Sequence, residues 1–150
     1  MKILIQRVKH SECTVDGKEI SRIGQGMLIL VGITNDDTSE DIEWTANKAV
    51  NLRIFNDENG VMNKSCLETD GEIMIISQFT LHARTKKGNR PSYIDAAKPE
   101  ISEPLYNEFI KEVNNLTGKS SATGIFGADM QLELLNDGPV TIIIDSKNRI

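Results

Sequence analysis

The run Met27-Leu28-Ile29-Leu30-Val31-Gly32-Ile33 has no polar side chain, and Gly24 and Gly26 before it and Thr34-Asn35-Asp36-Asp37 after it hold it to strand length. A stretch this short, with no polar face, predicts a β-strand covered on both sides. Glu72 to Phe79 is a second strongly apolar strand. Two such strands need cover from the rest of the chain. Helical spacing supplies candidates: Asp37 with Glu40 resembles a helix-start signal, and Ile42, Ala46, Ala49 and Val50 then recur at helical intervals. This predicts a helix over about Thr38 to Asn51. A second helix is predicted from about Ser102, with Pro104 in its first turn, Leu105, Phe109, Val113 and Leu116 on one face, and Gly118 at its end.

The remaining segments are strand-like. Ile3 to Val8, Cys13-Thr14-Val15, the turn pair Asp16-Gly17 and Glu19 to Ile23 read as a hairpin. Leu52 to Phe55 and Val61-Met62 flank the turn cluster Asn56 to Gly60. Met130 to Leu135 and Val140 to Asp145 are separated by Asn136-Asp137-Gly138-Pro139, whose plainest reading is a tight hairpin turn. Proline there removes a ladder donor. The expected fold is α+β, a strand-rich curved or barrel-like sheet with two main helices, in a single domain over residues 1–150. A chain of 150 residues, 39% hydrophobic and 26% charged, can bury one core of that kind.

Several function classes are disfavoured at once. The N-terminus turns polar after Ile3-Leu4-Ile5, and no run approaches a membrane span, so a cytoplasmic location without membrane association is expected. Cys13 and Cys66 lack metal or redox spacing and read as reduced thiols. His10 and His82 sit in no ligand pattern, so neither metal nor cofactor is expected. A net charge of -5 argues against general electrostatic wrapping of nucleic acid, and any RNA contact must be local. The one basic cluster, Arg84, Lys86, Lys87 and Arg90, reads either as a solvated loop or as a phosphate contact.

The residues that draw attention are Ser77-Gln78-Phe79-Thr80-Leu81, where hydroxyl and amide groups cluster as an apolar strand runs out. Backbone N–H groups freed at a strand end can face a ligand and stabilise an oxyanion. The plainer alternative is that these side chains cap the strand. Ser77 and His82 do not make a recognisable serine triad, because Ser77 lacks the GxSxG elbow.

Taken together, the fragments Gln6-Arg7-Val8, Arg53-Ile54-Phe55, Gly60 with Met62-Asn63, Ser77 to Leu81, Arg90-Pro91-Ser92, Leu105-Tyr106, Gly124 with Phe126, Ala128-Asp129-Met130 and Asn136 to Thr141 resemble the D-aminoacyl-tRNA deacylases along nearly the whole chain. The resemblance implies a homodimer that hydrolyses D-aminoacyl-tRNA, with an active site at each subunit interface. Ser77, Gln78, Phe79 and Thr80 would bind the 3′-terminal adenosine and the ester carbonyl. Gly138 and Pro139, joined by a cis bond, would reach in from the other subunit and exclude L-side chains; glycyl-tRNA, with no side chain to reject, would leak through. The family picture adds the terminal ribose 2′-hydroxyl as a helper, with attack by Thr80 as the competing idea. Arg7 would hold the Gly138-Pro139 segment, against a surface-strand alternative, and Phe126 and Met130 would line the adenosine pocket, against a core role. A non-catalytic RNA-binding dimer is the alternative class.

Overall fold

A single long strand organises the molecule. In the computed structural model, which describes residues 1–150, β1 (Lys2–Val15) alternates buried and less buried residues along most of its length, as a strand with one face on a core must. One edge of β1 is paired by β8 (Met130–Asp145). Its other edge is shared: β3 (Gly26–Gly32) takes Lys2 to Val8, and β2 (Lys18–Ile23) takes Ser11 to Val15. β3 pairs in parallel with β6 (Glu72–Ser77), which pairs in parallel with β7 (Ala122–Thr123). Ser21 Oγ of β2 donates to the Thr123 carbonyl of β7 at 2.6 Å, so the sheet curls until its ends nearly meet. The β3–β6 approach requires glycine at position 26, where a Cβ would lie 1.8 Å from the Glu72 carbonyl oxygen.

Both faces of β3 are covered, as its composition predicts. Met27, Ile29 and Val31 join Ile42, Ala46, Ala49 and Val50 of α1 (Ser39–Asn51) and Phe109 and Val113 of α2 (Pro99–Thr117) in the main core. Leu28 points the other way, into a smaller cluster with Val8, Cys13, Ile23, Met74 and Ile76 inside the curl. A short hairpin, β4 (Phe55–Asn56) with β5 (Met62–Lys64), brackets the Asn56 to Gly60 turn.

Four expectations are corrected. The apolar strand β6 stops at Ser77, two residues early, because the chain turns there into a single 3-10 turn over Phe79–His82. The second helix begins at Pro99, whose fixed φ suits the first helical position, so Pro104 lies in the second turn. Asn136 to Pro139 is not a hairpin: residues on both sides pair with the same strand β1, making β8 one strand with an outward step. Thr38, not Asp37, caps α1, and its amide donates to the Asp41 carboxylate at 2.9 Å. Asp37 is engaged elsewhere, accepting from the Thr34 amide at 2.8 Å and from the Met1 amino group.

Asp41 is buried. Burial alone would raise its pKa, but hydrogen bonds from Lys147, Ser146 and the Thr38 backbone outweigh that and hold the carboxyl well below the usual range. A carboxyl lowered in the folded state stabilises the fold above its unfolded pKa of about 3.9, and that contribution fades as pH falls through the folded value. Asp41→Asn is therefore expected to lose about 1–3 kcal/mol at pH 7 and to flatten the acid limb of stability below about pH 4. Urea midpoints at pH 7 and pH 3 check this; a variant as acid-sensitive as the parent would refute it.

Candidate functional site

The site grows from the end of β6. Ser77 is the last residue in register with β3, opposite Val31, and the Gln78 amide makes a further bond to the Val31 carbonyl at 2.7 Å. The 3-10 turn Phe79–His82 follows, with the Leu81 amide bonded to the Gln78 carbonyl and the Ala83 amide to the Thr80 carbonyl. The Phe79 and Thr80 amides donate to no group of the chain. They are the first donors of a turn, which have no partner within it. Gln78 Nε2 donates to Thr80 Oγ1 at 2.5 Å, and neither a carboxylate nor an imidazole touches that hydroxyl. His82 Nε2, in the same turn, is buried without a partner.

Beside this strand end lies a cavity of about 600 Å³. Ser77, Gln78 and Phe79 form one wall, Phe126 and Met130 another, and Tyr106 of α2 with Lys98, the residue just before that helix, closes its side. Tyr106 Oη donates to the Ile75 carbonyl at 2.7 Å, and its ring lies tilted on Phe126 with centroids 5.7 Å apart. Burial pushes the Tyr106 hydroxyl well above its ordinary pKa, so it stays a neutral donor. Phe79 is 55% exposed and meets Tyr93 edge-on, with centroids 5.1 Å apart. An apolar cavity with a few polar groups along one wall suits a flat, partly polar ligand such as a nucleobase.

Arg7, Gly138 and Pro139 form a separate assembly. Gln6 pairs with Thr141 and Val8 with Asn136, so the four residues Asp137 to Val140 step out opposite Arg7. The Gly138–Pro139 peptide is cis. Gly138 has φ +132, and a Cβ there would meet Val140 Cγ2 at 2.9 Å and Arg7 Nη2 at 3.0 Å. Arg7 is only 6% exposed, which removes the surface-strand alternative. Its Nε donates to the Asp137 carbonyl at 2.9 Å and its Nη1 to the Ile54 carbonyl at 2.5 Å. The side chain thus fastens the step in its own chain. Gly138 and Pro139 themselves are exposed and do not line the cavity of the same chain.

Of the residues singled out in the sequence, Ser77, Gln78, Phe79, Phe126 and Met130 surround the cavity, with Thr80 adjoining Phe79. Arg7, Gly138 and Pro139 do not join them within one chain. Sequence reasoning missed Lys98, Tyr93 and Tyr106 as wall residues. Tyr106 follows Leu105 on the helix and, with Ser102, carries a hydroxyl near that apolar face, which was the available signal.

The sequence matches the family described as D-Tyr-tRNA(Tyr) deacylase over residues 4–145. The chain belongs to that family. Membership makes it an enzyme, a deacylase of the hydrolase class. It is 64% identical to a D-aminoacyl-tRNA deacylase of Bacteroides thetaiotaomicron over 149 residues, covering 99% of each chain. A D-aminoacyl-tRNA deacylase of Flavobacterium johnsoniae is 56% identical over the same length and share. Among solved structures, the deacylase superposes on a c-Myc DNA unwinding element binding protein with TM-score 0.90 and 39% identity, covering 97% of this chain and 98% of the other.

Proposed function

We propose that this deacylase hydrolyses the ester joining a D-amino acid to the 3′-terminal ribose of tRNA, releasing the free D-amino acid and tRNA. The reading is carried by the unpartnered Phe79 and Thr80 amides at the edge of an apolar cavity. In this reading the terminal adenine lies against the wall that Phe126 and Met130 form, and the ester carbonyl is directed toward the two amides. Water attacks the carbonyl carbon, and the oxygen gains negative charge that the amides meet with hydrogen bonds. Collapse breaks the bond to the 3′-oxygen, which takes up a proton. Two preorganised donors are worth several kcal/mol of barrier in a site shielded from water. An aminoacyl ester is already activated, so this suffices without a protein nucleophile, and the ribose 2′-hydroxyl can guide the water.

Chiral selection belongs to Gly138 and Pro139 of a second subunit. Their exposure, with Leu135 at 52% and Ile143 at 63% exposed on the same strand, supports burial of this strand face against another copy. Backbone carbonyls there would hold the substrate α-amino group so that an L-side chain strikes protein and a D-side chain points to open space. Glycyl-tRNA would be accepted. Discrimination by exclusion needs no side-chain pocket and suits many D-amino acids. The working form is a cytoplasmic homodimer.

Purified protein incubated with D-tyrosyl-tRNA and L-tyrosyl-tRNA is expected to release D-tyrosine and leave the L-ester largely intact, read by acid-precipitable label. Equal hydrolysis of both would end the chiral reading. The likeness to a protein described as binding a DNA unwinding element favours one rival, a non-catalytic nucleic-acid-binding dimer. No release from either ester would favour that rival.

A further inference from the structure

The basic loop after the 3-10 turn remains without a role in hydrolysis. Arg84 is tied to Asp95 through two hydrogen bonds, and backbone bonds between Arg84 and Ser92 at 2.8 and 3.0 Å clamp the stem of the loop. Lys86, Lys87 and Arg90 project from the clamped loop, exposed, and pair with no carboxylate. The stem is joined to the cavity: Tyr93, next to Ser92, lines it and packs on Phe79. Arg90 is three residues from Tyr93, so at most about 10 Å of chain separates it from the cavity wall. Lys98, also free of any carboxylate partner, stands on that wall.

The charge distribution sharpens this placement. Residues 84–98 carry a net +4, leaving -9 on the rest of the chain. An anionic strand is repelled by most of the surface and attracted at one end of the cavity. Asp95 is the only acid within residues 84–98, and Arg84 occupies it, so the charges of Lys86, Lys87, Arg90 and Lys98 are left uncompensated.

We propose that Lys86, Lys87, Arg90 and Lys98 form a phosphate-contact surface for the RNA strand whose 3′-terminal nucleotide occupies the cavity. This rests on the tRNA-deacylase reading and deepens it. The cavity takes the terminal nucleoside, and the loop takes the phosphodiesters that lead away from it. Such contacts position the strand without reading its sequence, which suits a protein acting on many tRNAs.

The test is the salt dependence of binding to an uncharged RNA hairpin carrying a tRNA acceptor end, so that it does not depend on turnover. Lys86→Ala/Lys87→Ala/Arg90→Ala is expected to bind about tenfold or more weakly at low salt, with a log–log salt slope shallower by about 2–3. Lys86→Arg/Lys87→Arg retains the charge and is expected to keep the parent slope, which separates lost phosphate contacts from a disturbed loop. In a second arm, the triple variant is expected to hydrolyse D-tyrosyl-adenosine like the parent and to lose efficiency only on D-tyrosyl-tRNA. A triple variant with the parent's slope and affinity overturns the proposal. A parent chain inactive on both esters counts against the deacylase reading, while the slope still decides the role of the loop.

Discussion

Replacing the 2′-hydroxyl of the terminal ribose of D-tyrosyl-tRNA by hydrogen is expected to slow hydrolysis by about 10²–10⁴-fold, the range of a lost acid–base group. Thr80→Ala, by contrast, is expected to cost about tenfold or less. Thr80 Oγ1 accepts a hydrogen bond from Gln78, and no base touches it, so it has no means of losing its proton to become a nucleophile. The amide of residue 80 survives the substitution, and that amide is the donor the mechanism needs. Single-turnover rates on the ribo and 2′-deoxy esters, with parent and variant, separate the two effects. A folded Thr80→Ala enzyme that binds RNA normally yet loses many orders of magnitude would return the hydroxyl to the role of nucleophile.

Subunit mixing is expected to restore activity to two dead enzymes. Gly138→Ala places a Cβ at φ +132, against Val140 and the Arg7 guanidinium, and so displaces the step that Arg7 fastens. Phe79→Pro removes one of the two free amides, at the first position of the turn, where the N–H has no partner in the chain and the fixed φ of proline is accommodated. Loss of one such donor costs about 10²–10³-fold. In a heterodimer of the two variants, the intact strand end of one chain faces the intact Gly138–Pro139 step of the other, giving one complete site. Co-expressed heterodimers verified by mass are expected to regain roughly half the activity per dimer, while each parent homodimer stays low. If the heterodimers are as inactive as the parents, each site is built within one chain, and selection through a second subunit fails.

Much of the fold was legible because the signals were local. The two-sided burial of Met27 to Val31 follows from a run with no polar face, and α1 follows from the spacing of Ile42, Ala46, Ala49 and Val50. The Ser77 to Thr80 segment was legible as a strand end because polar residues break an apolar run there. The errors lay where distant partners decide. Asp37 looked like a cap until the Met1 amino group and the Thr34 amide claimed its carboxylate, leaving Asp41 to complete the cap with Thr38.

The same distinction separates what the sequence determined about the site from what tertiary structure decided. By itself the sequence determined two strands needing cover, two helices to cover them, a polar cluster ending one strand, and a family resemblance spread along the chain. It could not distinguish a hairpin at Asn136 to Pro139 from a step in one strand, because turn residues look alike whether the following strand pairs with its predecessor or with a third strand. β1 settles this by pairing with both sides of the step, and Arg7, buried far away in sequence, holds the step through the Asp137 carbonyl. Nor could it assemble the cavity, whose walls come from β6, the loop at Tyr93, α2 and the segment around Phe126. Composition and periodicity report what each segment must bury; which segments meet depends on long-range pairing that only the curled sheet supplies.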